Sequence, residues 1–254
     1  MRVTNTKQGL KVNAIAGTYV VVLTYDLPKN KCSNLMGFAI HRQDLSENES
    51  YYLKGTKTFE ETDPGFPSGS QYSTNQQPIQ GFQWADYSAK PDHKYIYTVT
   101  ALKGSPSNLK EEYQTSVEVE TESTTVGMHS VFFNRGLAAS QEYTRRFGDI
   151  SPDKVPNNKA YEWLSRGIYE ALTEYIESCV PGRHSLRISA YELNHIPFLK
   201  LLEETKNRGV DLKIVFDARK DNPRIKNLKN VKDFNLQDIS TPRTVPKSYI
   251  SHNK

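Results

Sequence analysis

Pro91-Asp92-His93-Lys94-Tyr95-Ile96-Tyr97-Thr98-Val99-Thr100-Ala101 is the stretch on which the reading of the first half of the chain turns. Tyr95, Tyr97 and Val99 alternate with Ile96, Thr98 and Thr100, the period of a strand whose two faces are filled differently. Upstream, Leu10-Lys11-Val12-Asn13-Ala14-Ile15 and Thr18-Tyr19-Val20-Val21-Val22-Leu23-Thr24-Tyr25 are β-branched and aromatic and are split by Gly17. Met36-Gly37-Phe38-Ala39-Ile40-His41-Arg42 and Tyr51-Tyr52-Leu53 read as further strands. Residues 61–80 are rich in Gly, Pro and Ser and read as a long loop, followed by Phe82-Gln83-Trp84-Ala85-Asp86-Tyr87. Downstream, Thr115-Ser116-Val117-Glu118-Val119-Glu120-Thr121 alternates cleanly. Short strands separated by turn signals predict an all-β sandwich over residues 9–121.

The approach Pro91-x-x-x-Tyr95 into that strand resembles fibronectin type III domains. The resemblance implies an Ig-like sandwich in which Tyr95 packs at a corner and bonds to backbone just upstream. Small sandwiches of this kind pack against or present a neighbour, so this half by itself implies no chemistry.

Glu122-Ser123-Thr124-Thr125-Val126-Gly127 has the composition of a linker, and the pattern beyond it changes to α/β. Residues 130–133 read as a short strand, 137–147 as a helix and 150–158 as a loop carrying Pro152 and Pro156. Leu164, Ile168, Ala171, Leu172, Tyr175 and Ile176 form one apolar face of a helix expected over 159–179, ended by Pro181-Gly182. A strand at 186–191, a helix at 197–208 and a strand at 210–216 follow. Pro197 suits the first turn of that helix, Gly209 its C-terminal cap, and Lys206 and Arg208 the negative end of its dipole. Such a strand–helix–strand unit is expected to be parallel. The expected organisation is a sandwich at 9–121, a linker at 122–127 and an α/β domain from 128 to 254.

No run of 18 apolar residues exists, so no membrane-spanning helix is expected, and the N-terminal residues lack the apolar region of a secretory signal. The reading therefore places the protein in the cytoplasm. Cys32 and Cys179 fall in different expected domains and are read as unpaired, and no Cys/His spacing suits a metal. No Walker loop and no Gly-x-Gly-x-x-Gly is present, so neither a nucleotide nor any other cofactor is expected. The net charge of +4 conceals an asymmetry: residues 205–254 hold 12 Lys/Arg against 5 Asp/Glu. A basic C-terminal part favours an anionic partner, either nucleic acid or a phospholipid headgroup.

That basic part ends in Ser248-Tyr249-Ile250-Ser251-His252-Asn253-Lys254. On a strand, His252 and Lys254 would share a face and Asn253 would point away. An imidazole beside an ammonium suits a phosphate, because one can attack phosphorus or move a proton while the other holds negative charge.

Several segments appear before it in order: Met128-His129-Ser130-Val131-Phe132-Phe133-Asn134-Arg135-Gly136, Ala139-Ser140-Gln141 and Trp163-Leu164-Ser165-Arg166-Gly167. Leu186-Arg187-Ile188-Ser189-Ala190-Tyr191-Glu192 and Arg208-Gly209-Val210-Asp211-Leu212-Lys213-Ile214-Val215-Phe216-Asp217 follow. With His252-x-Lys254 they resemble the phospholipase D superfamily over residues 124–254. The family's active site is built from two His-x-Lys-x4-Asp motifs. The resemblance implies a metal-free phosphodiesterase in which one His forms a phosphohistidine and the other protonates the leaving oxygen. His252 would be the nucleophile-type His and Lys254 the phosphate ligand. The motif Asp would fall beyond Lys254, and no second His-x-Lys occurs upstream. The reading therefore expects the front half of a longer protein, inactive alone, with its second catalytic half supplied by the missing C-terminal part or by another chain. Its substrate would be a phosphodiester, with nucleic acid favoured over phospholipid. The competing reading is a binding or adaptor module on a degenerate scaffold of the same type.

Glu192, Asp217 and Arg219 follow strand ends, where active-site loops of α/β sheets gather, and each reads equally well as ordinary surface. Asn134-Arg135-Gly136 reads as a structural turn, with an anion-binding turn as the alternative. His129, His184 and His195 have no partner at metal or triad spacing, and no nucleophile elbow is present.

Overall fold

The computed structural model describes residues 1–63, 65, 67, 70–135 and 141–244. The chain divides into two compact units, residues 1–166 and 167–254. Together they form a β-rich unit and an α/β unit.

The first unit contains β1 (Arg2–Lys7), β2 (Leu10–Ala16), β3 (Val21–Asp26), β4 (Leu35–Asp44), β5 (Glu49–Tyr52), β6 (Lys54–Gly55) and β7 (Tyr72–Ser73). It continues with β8 (Gln83–Asp86), β9 (Lys94–Ser105) and β10 (Asn108–Glu120). Among the described residues, two four-stranded antiparallel sheets form, in the orders β1-β2-β3-β8 and β10-β9-β4-β5. They share one core: Leu10, Val12, Val21 and Leu23 from the first sheet meet Phe38, Ile40, Tyr95, Tyr97 and Val99 from the second. The expected alternation holds, since Tyr95, Tyr97 and Val99 are fully buried while Ile96 and Thr98 are only half-buried. The Tyr95 hydroxyl accepts a hydrogen bond from the Lys90 N–H at 2.9 Å, five residues upstream. Near the end of β9, Gly104 (φ +120°) pairs with Leu109 of β10, and a Cβ there would lie 2.3 Å from the Asn108 carbonyl oxygen. That position admits only glycine.

Three expectations for this unit are corrected. The sheet begins at Arg2, not at residue 9, because β1 pairs along its length with β2. Its side chains are almost all exposed, so it carries no buried face for a hydrophobic pattern to reveal. The long loop at 61–80 is pinned in places. Gln77 receives the Phe59 N–H and donates to Thr62, and Ile79 bridges to Phe38. The third correction concerns 128–166, which belongs to the same compact unit as the sandwich and not to the α/β unit.

In that segment β11 (Thr125–Val126) and β12 (His129–Ser130) form a small hairpin through Gly127, so 122–127 is not simply a linker. Residues 131–133 are not strand. α1 (Gln141–Phe147) and α2 (Lys159–Ser165) close a small core of Tyr143, Val155 and Ala160 against Phe147 and Trp163. The Arg166 guanidinium lies 4.4 Å from the Tyr19 ring centre and points at the carbonyls of Tyr19, Tyr87 and Ala89 at 3.1–3.3 Å. Those contacts attach the segment to the sandwich.

The helix expected over 159–179 is broken. Arg166 (φ 53°) and Gly167 (φ 86°) both take the left-handed conformation, which ends α2 and precedes α3 (Ile168–Glu177). A left-handed pair cannot continue an α-helix, and glycine adopts that conformation without strain. The compact units divide at this break.

In the second unit β13 (Ser185–Ala190), α4 (Ile196–Asn207), β14 (Asp211–Asp217), α5 (Asp221–Asp233) and β15 (Ser240–Arg243) alternate. The three strands form one parallel sheet in the order β13-β14-β15, as expected for 186–191 and 210–216. Pro197 sits in the first turn of α4, and Gly209 (φ 88°) follows its C-terminal end. Leu212, Ile214 and Phe216 share a core with Leu199 and Leu202 of α4 and Val231 of α5. The alternate residues Arg187, Lys213 and Val215 are exposed, although parallel sheets are usually covered on both faces. No described helix is long and apolar enough to cross a membrane.

Candidate functional site

Parallel strands in one sheet bring their C-terminal ends to one edge, where the connecting loops can present side chains to a ligand. Here that edge collects Tyr191 and Glu192 after β13, Asp217 and Arg219 at the end of β14, and Arg243 at the end of β15. The register sets Phe216 between Ala190 and Pro242, with Asp217 opposite Arg243. The Ala218 N–H donates to the Arg243 carbonyl at 3.0 Å, fastening the two strand ends together.

Asp217 is buried, and Arg219 neutralises it. Oδ1 accepts from the Arg219 N–H at 3.1 Å and from Nε at 2.7 Å, while Oδ2 accepts from Nη2 at 2.9 Å. The Arg219 side-chain hydrogen bonds hold the carboxyl down to about 2 against burial, and the Arg243 charge adds to the effect. The Nη1 of Arg219 is buried and has no hydrogen-bond partner among the described residues. A carboxylate depressed in the folded state stabilises the fold fully above its ordinary pKa of 3.8, and that contribution disappears as pH falls towards 2. Urea titrations of wild type and Asp217→Asn should therefore differ near about pH 5 and converge near about pH 2. A difference that persists unchanged at the lower pH would count against this assignment.

Asn227 organises the edge from beneath. It is fully buried on α5, accepts the Leu193 N–H at 2.8 Å, and donates to the carbonyls of Tyr191 at 2.9 Å and Asp217 at 3.0 Å. One side chain thus ties both strand-end loops to α5, and Asn230 adds a bond to the Leu193 carbonyl at 2.6 Å. Asn227→Ala would strand buried backbone groups, each costing about 1–3 kcal/mol. A loss of at least about 2 kcal/mol in urea unfolding is expected, and a change within measurement error would refute the clamp. Nothing local marks Asn227 in sequence, because its three bonds reach back to residues 191–217.

The residues singled out from sequence divide three ways. Glu192 lies on this edge, exposed, and accepts from Asn194 at 2.8 Å; buried Asp217 and half-buried Arg219 form its charge pair. His184 is structural, since its Nδ1 accepts the Val180 N–H at 2.9 Å. Exposed His129 belongs to the β11–β12 hairpin, and burial pulls His195 down at the start of α4. Arg135 donates to the Trp163 carbonyl at 2.7 Å and lies 4.7 Å from the Trp163 ring centre. Burial, with help from the Arg166 and Arg146 charges, takes its guanidinium down to about 10. It serves as a structural anchor. His252, Asn253 and Lys254 lie outside the described residues, as does Gly136.

Carboxylate oxygens of Asp44, Glu47 and Glu49 lie within 4.8 Å of one another. The protein itself uses them: Asp44 accepts from Ser46 and Glu47 backbone N–H groups and contacts His93 Nδ1 at 2.8 Å, and Glu47 pairs with Lys90.

No family model and no curated protein matches the chain. Among solved structures, it is similar to one described as a myokine at 16% identity and TM-score 0.29, covering 44% of this chain and 92% of that one. A β-1,2-glucanase from Parabacteroides distasonis matches at 12% identity and TM-score 0.29, over 49% of this chain and 14% of the other. A family 28 exopolygalacturonase from Yersinia enterocolitica matches at 16% identity and TM-score 0.29, over 84% of this chain and 31% of the other.

Proposed function

We propose that this chain carries the first half of a phosphodiesterase site of the phospholipase D type, joined to a fibronectin III-like sandwich. The observation that carries the reading is the ordered set of segments from Met128 to His252-x-Lys254. The side-by-side parallel pairing of β13 and β14 is compatible with it, since strands in separate sheets would have excluded that domain type. For the sandwich, the support is the Tyr95 hydroxyl bonded to the backbone of Lys90 and the strand order of the two sheets.

In this reading His252 attacks phosphorus and Lys254 holds the non-bridging oxygens as charge builds in the transition state. A second His-x-Lys, in the same or another chain, protonates the leaving oxygen. Substrates are phosphodiesters of nucleic acid or phospholipid. The test is a panel of bis-p-nitrophenyl phosphate, single- and double-stranded DNA and phosphatidylcholine, with and without chelator. It is run with a protein that contains both motifs. Turnover that resists chelation and depends on His252 supports the reading. Inactivity on every phosphodiester, or turnover untouched by His252→Ala, overturns it.

A further inference from the structure

We propose that the outward face of α5 is a docking surface for an anionic lipid surface. α5 buries Pro223, Asn227 and Val231 against the unit's core side and turns Ile225 and Leu228 outward, 62% and 46% exposed. One helical turn separates these two aliphatics, so they stand as neighbours on one face. Cations surround them: Lys229 and Lys232 fall on the same face, with Arg224 and Lys226 at its borders. Arg224 is paired with Asp221 at 2.7 Å and Lys229 with Asp233. Among the described residues Lys226 and Lys232 have no carboxylate partner and are available to an external anion.

The two kinds of side chain together favour lipid. A nucleic-acid backbone would engage the lysines but gains nothing from exposed aliphatics, since its phosphates are contacted by cations and polar groups. Single strands would need aromatic platforms, and α5 has none. An anionic bilayer rewards both, because aliphatic side chains enter the headgroup–acyl boundary while lysines and arginines meet the lipid phosphates. No amphipathic anchor stands out in the sequence, because the buried stripe of α5 contains Pro223 and Asn227 and its outward stripe contains the aliphatics.

This proposal does not rest on the phosphodiesterase reading, and its test measures binding and not turnover. The 254-residue chain is sedimented with vesicles of phosphatidylcholine alone and of phosphatidylcholine with phosphatidylserine, at low and at physiological salt. The expected result is partition onto the anionic vesicles that weakens with salt, and little onto the neutral ones. Ile225→Ser with Leu228→Ser should reduce that partition at least about tenfold, given the transfer energies of two aliphatic side chains. Lys226→Gln with Lys232→Gln should reduce it by more than about tenfold, at roughly a factor of five per cation. All four positions are exposed, and thermal unfolding of each variant checks that the fold is kept. Equal partition onto neutral and anionic vesicles, or wild-type partition by the serine variant, would overturn the proposal. So would absent vesicle binding alongside duplex DNA binding that the lysine changes remove and the serine changes leave intact. That last outcome would reassign the face to nucleic acid.

Discussion

His252→Ala is expected to lower phosphodiester turnover by at least about 10²–10⁴-fold, the range over which a positioned acid–base group contributes. The proposed role of His252 is more demanding than proton transfer, since in that reading it forms the bond to phosphorus. Lys254→Ala should also lower turnover, because its charge is needed most when negative charge peaks on the non-bridging oxygens. Asn253→Ala is the internal control. On the strand that the sequence reading expects there, alternation would turn Asn253 away from His252 and Lys254, so its removal should leave kcat and KM unchanged. Intact-mass measurement after rapid quench adds a second readout, a covalent phosphoryl adduct that His252→Ala abolishes. An adduct that forms without His252, or equal losses at 253 and 254, would contradict the proposed roles. The 254-residue chain alone holds one His-x-Lys and should be silent in the same assay.

Asp86→Ala is expected to destabilise the sandwich by about 3–5 kcal/mol, the cost of leaving a buried charge without its partner. Arg42 and Asp86 are 3% and 4% exposed and lie on different sheets. Arg42 Nη1 donates to Asp86 Oδ2 at 3.0 Å and to Ser88 Oγ at 2.7 Å, and Nη2 donates to the Tyr51 hydroxyl. The Tyr97 hydroxyl donates to the same Asp86 oxygen at 2.8 Å, and Ser88 uses both its N–H and its hydroxyl on the other. Burial opposes the Arg42 charge, but the attraction and hydrogen bond of Asp86 outweigh it, and the guanidinium is held above its ordinary value. Removing the carboxylate strands the guanidinium, the Tyr97 hydroxyl and Ser88 together. In thermal unfolding the fall in Tm should be on the order of 10 °C for a unit of this size. Adding Arg42→Met to Asp86→Ala should recover part of the loss, because an apolar side chain needs no counter-charge. A loss below about 1 kcal/mol, of the size typical of surface pairs, would show that the network is solvated.

The elements that were legible in sequence share a short range. The alternation through Tyr95, Tyr97 and Val99 marks β9, and Thr115, Val117 and Val119 mark the buried face of β10. Pro197 and Gly209 bracket α4, and the strand–helix–strand spacing implies the parallel pairing of β13 with β14. β1 carries no sequence signal because both its faces are wet, and a pattern needs a buried face to be visible. The break at Arg166-Gly167 was hidden by apolar spacing that runs through it, and Gly167 was its one local signal. Periodicity reports which face a residue shows and caps report where an element ends, and both act within a few residues. The sequence alone therefore determined the change from sandwich to parallel α/β, the basic C-terminal part and the His252-x-Lys254 pair. Partner choice across the core depends on which distant segments the fold brings together. Only the tertiary structure could set Arg42 against Asp86 across 44 positions, lay Arg166 on the carbonyls of Tyr19, Tyr87 and Ala89, and seat Asn227 under two strand ends. A buried polar group must find its partner wherever the packed chain places one.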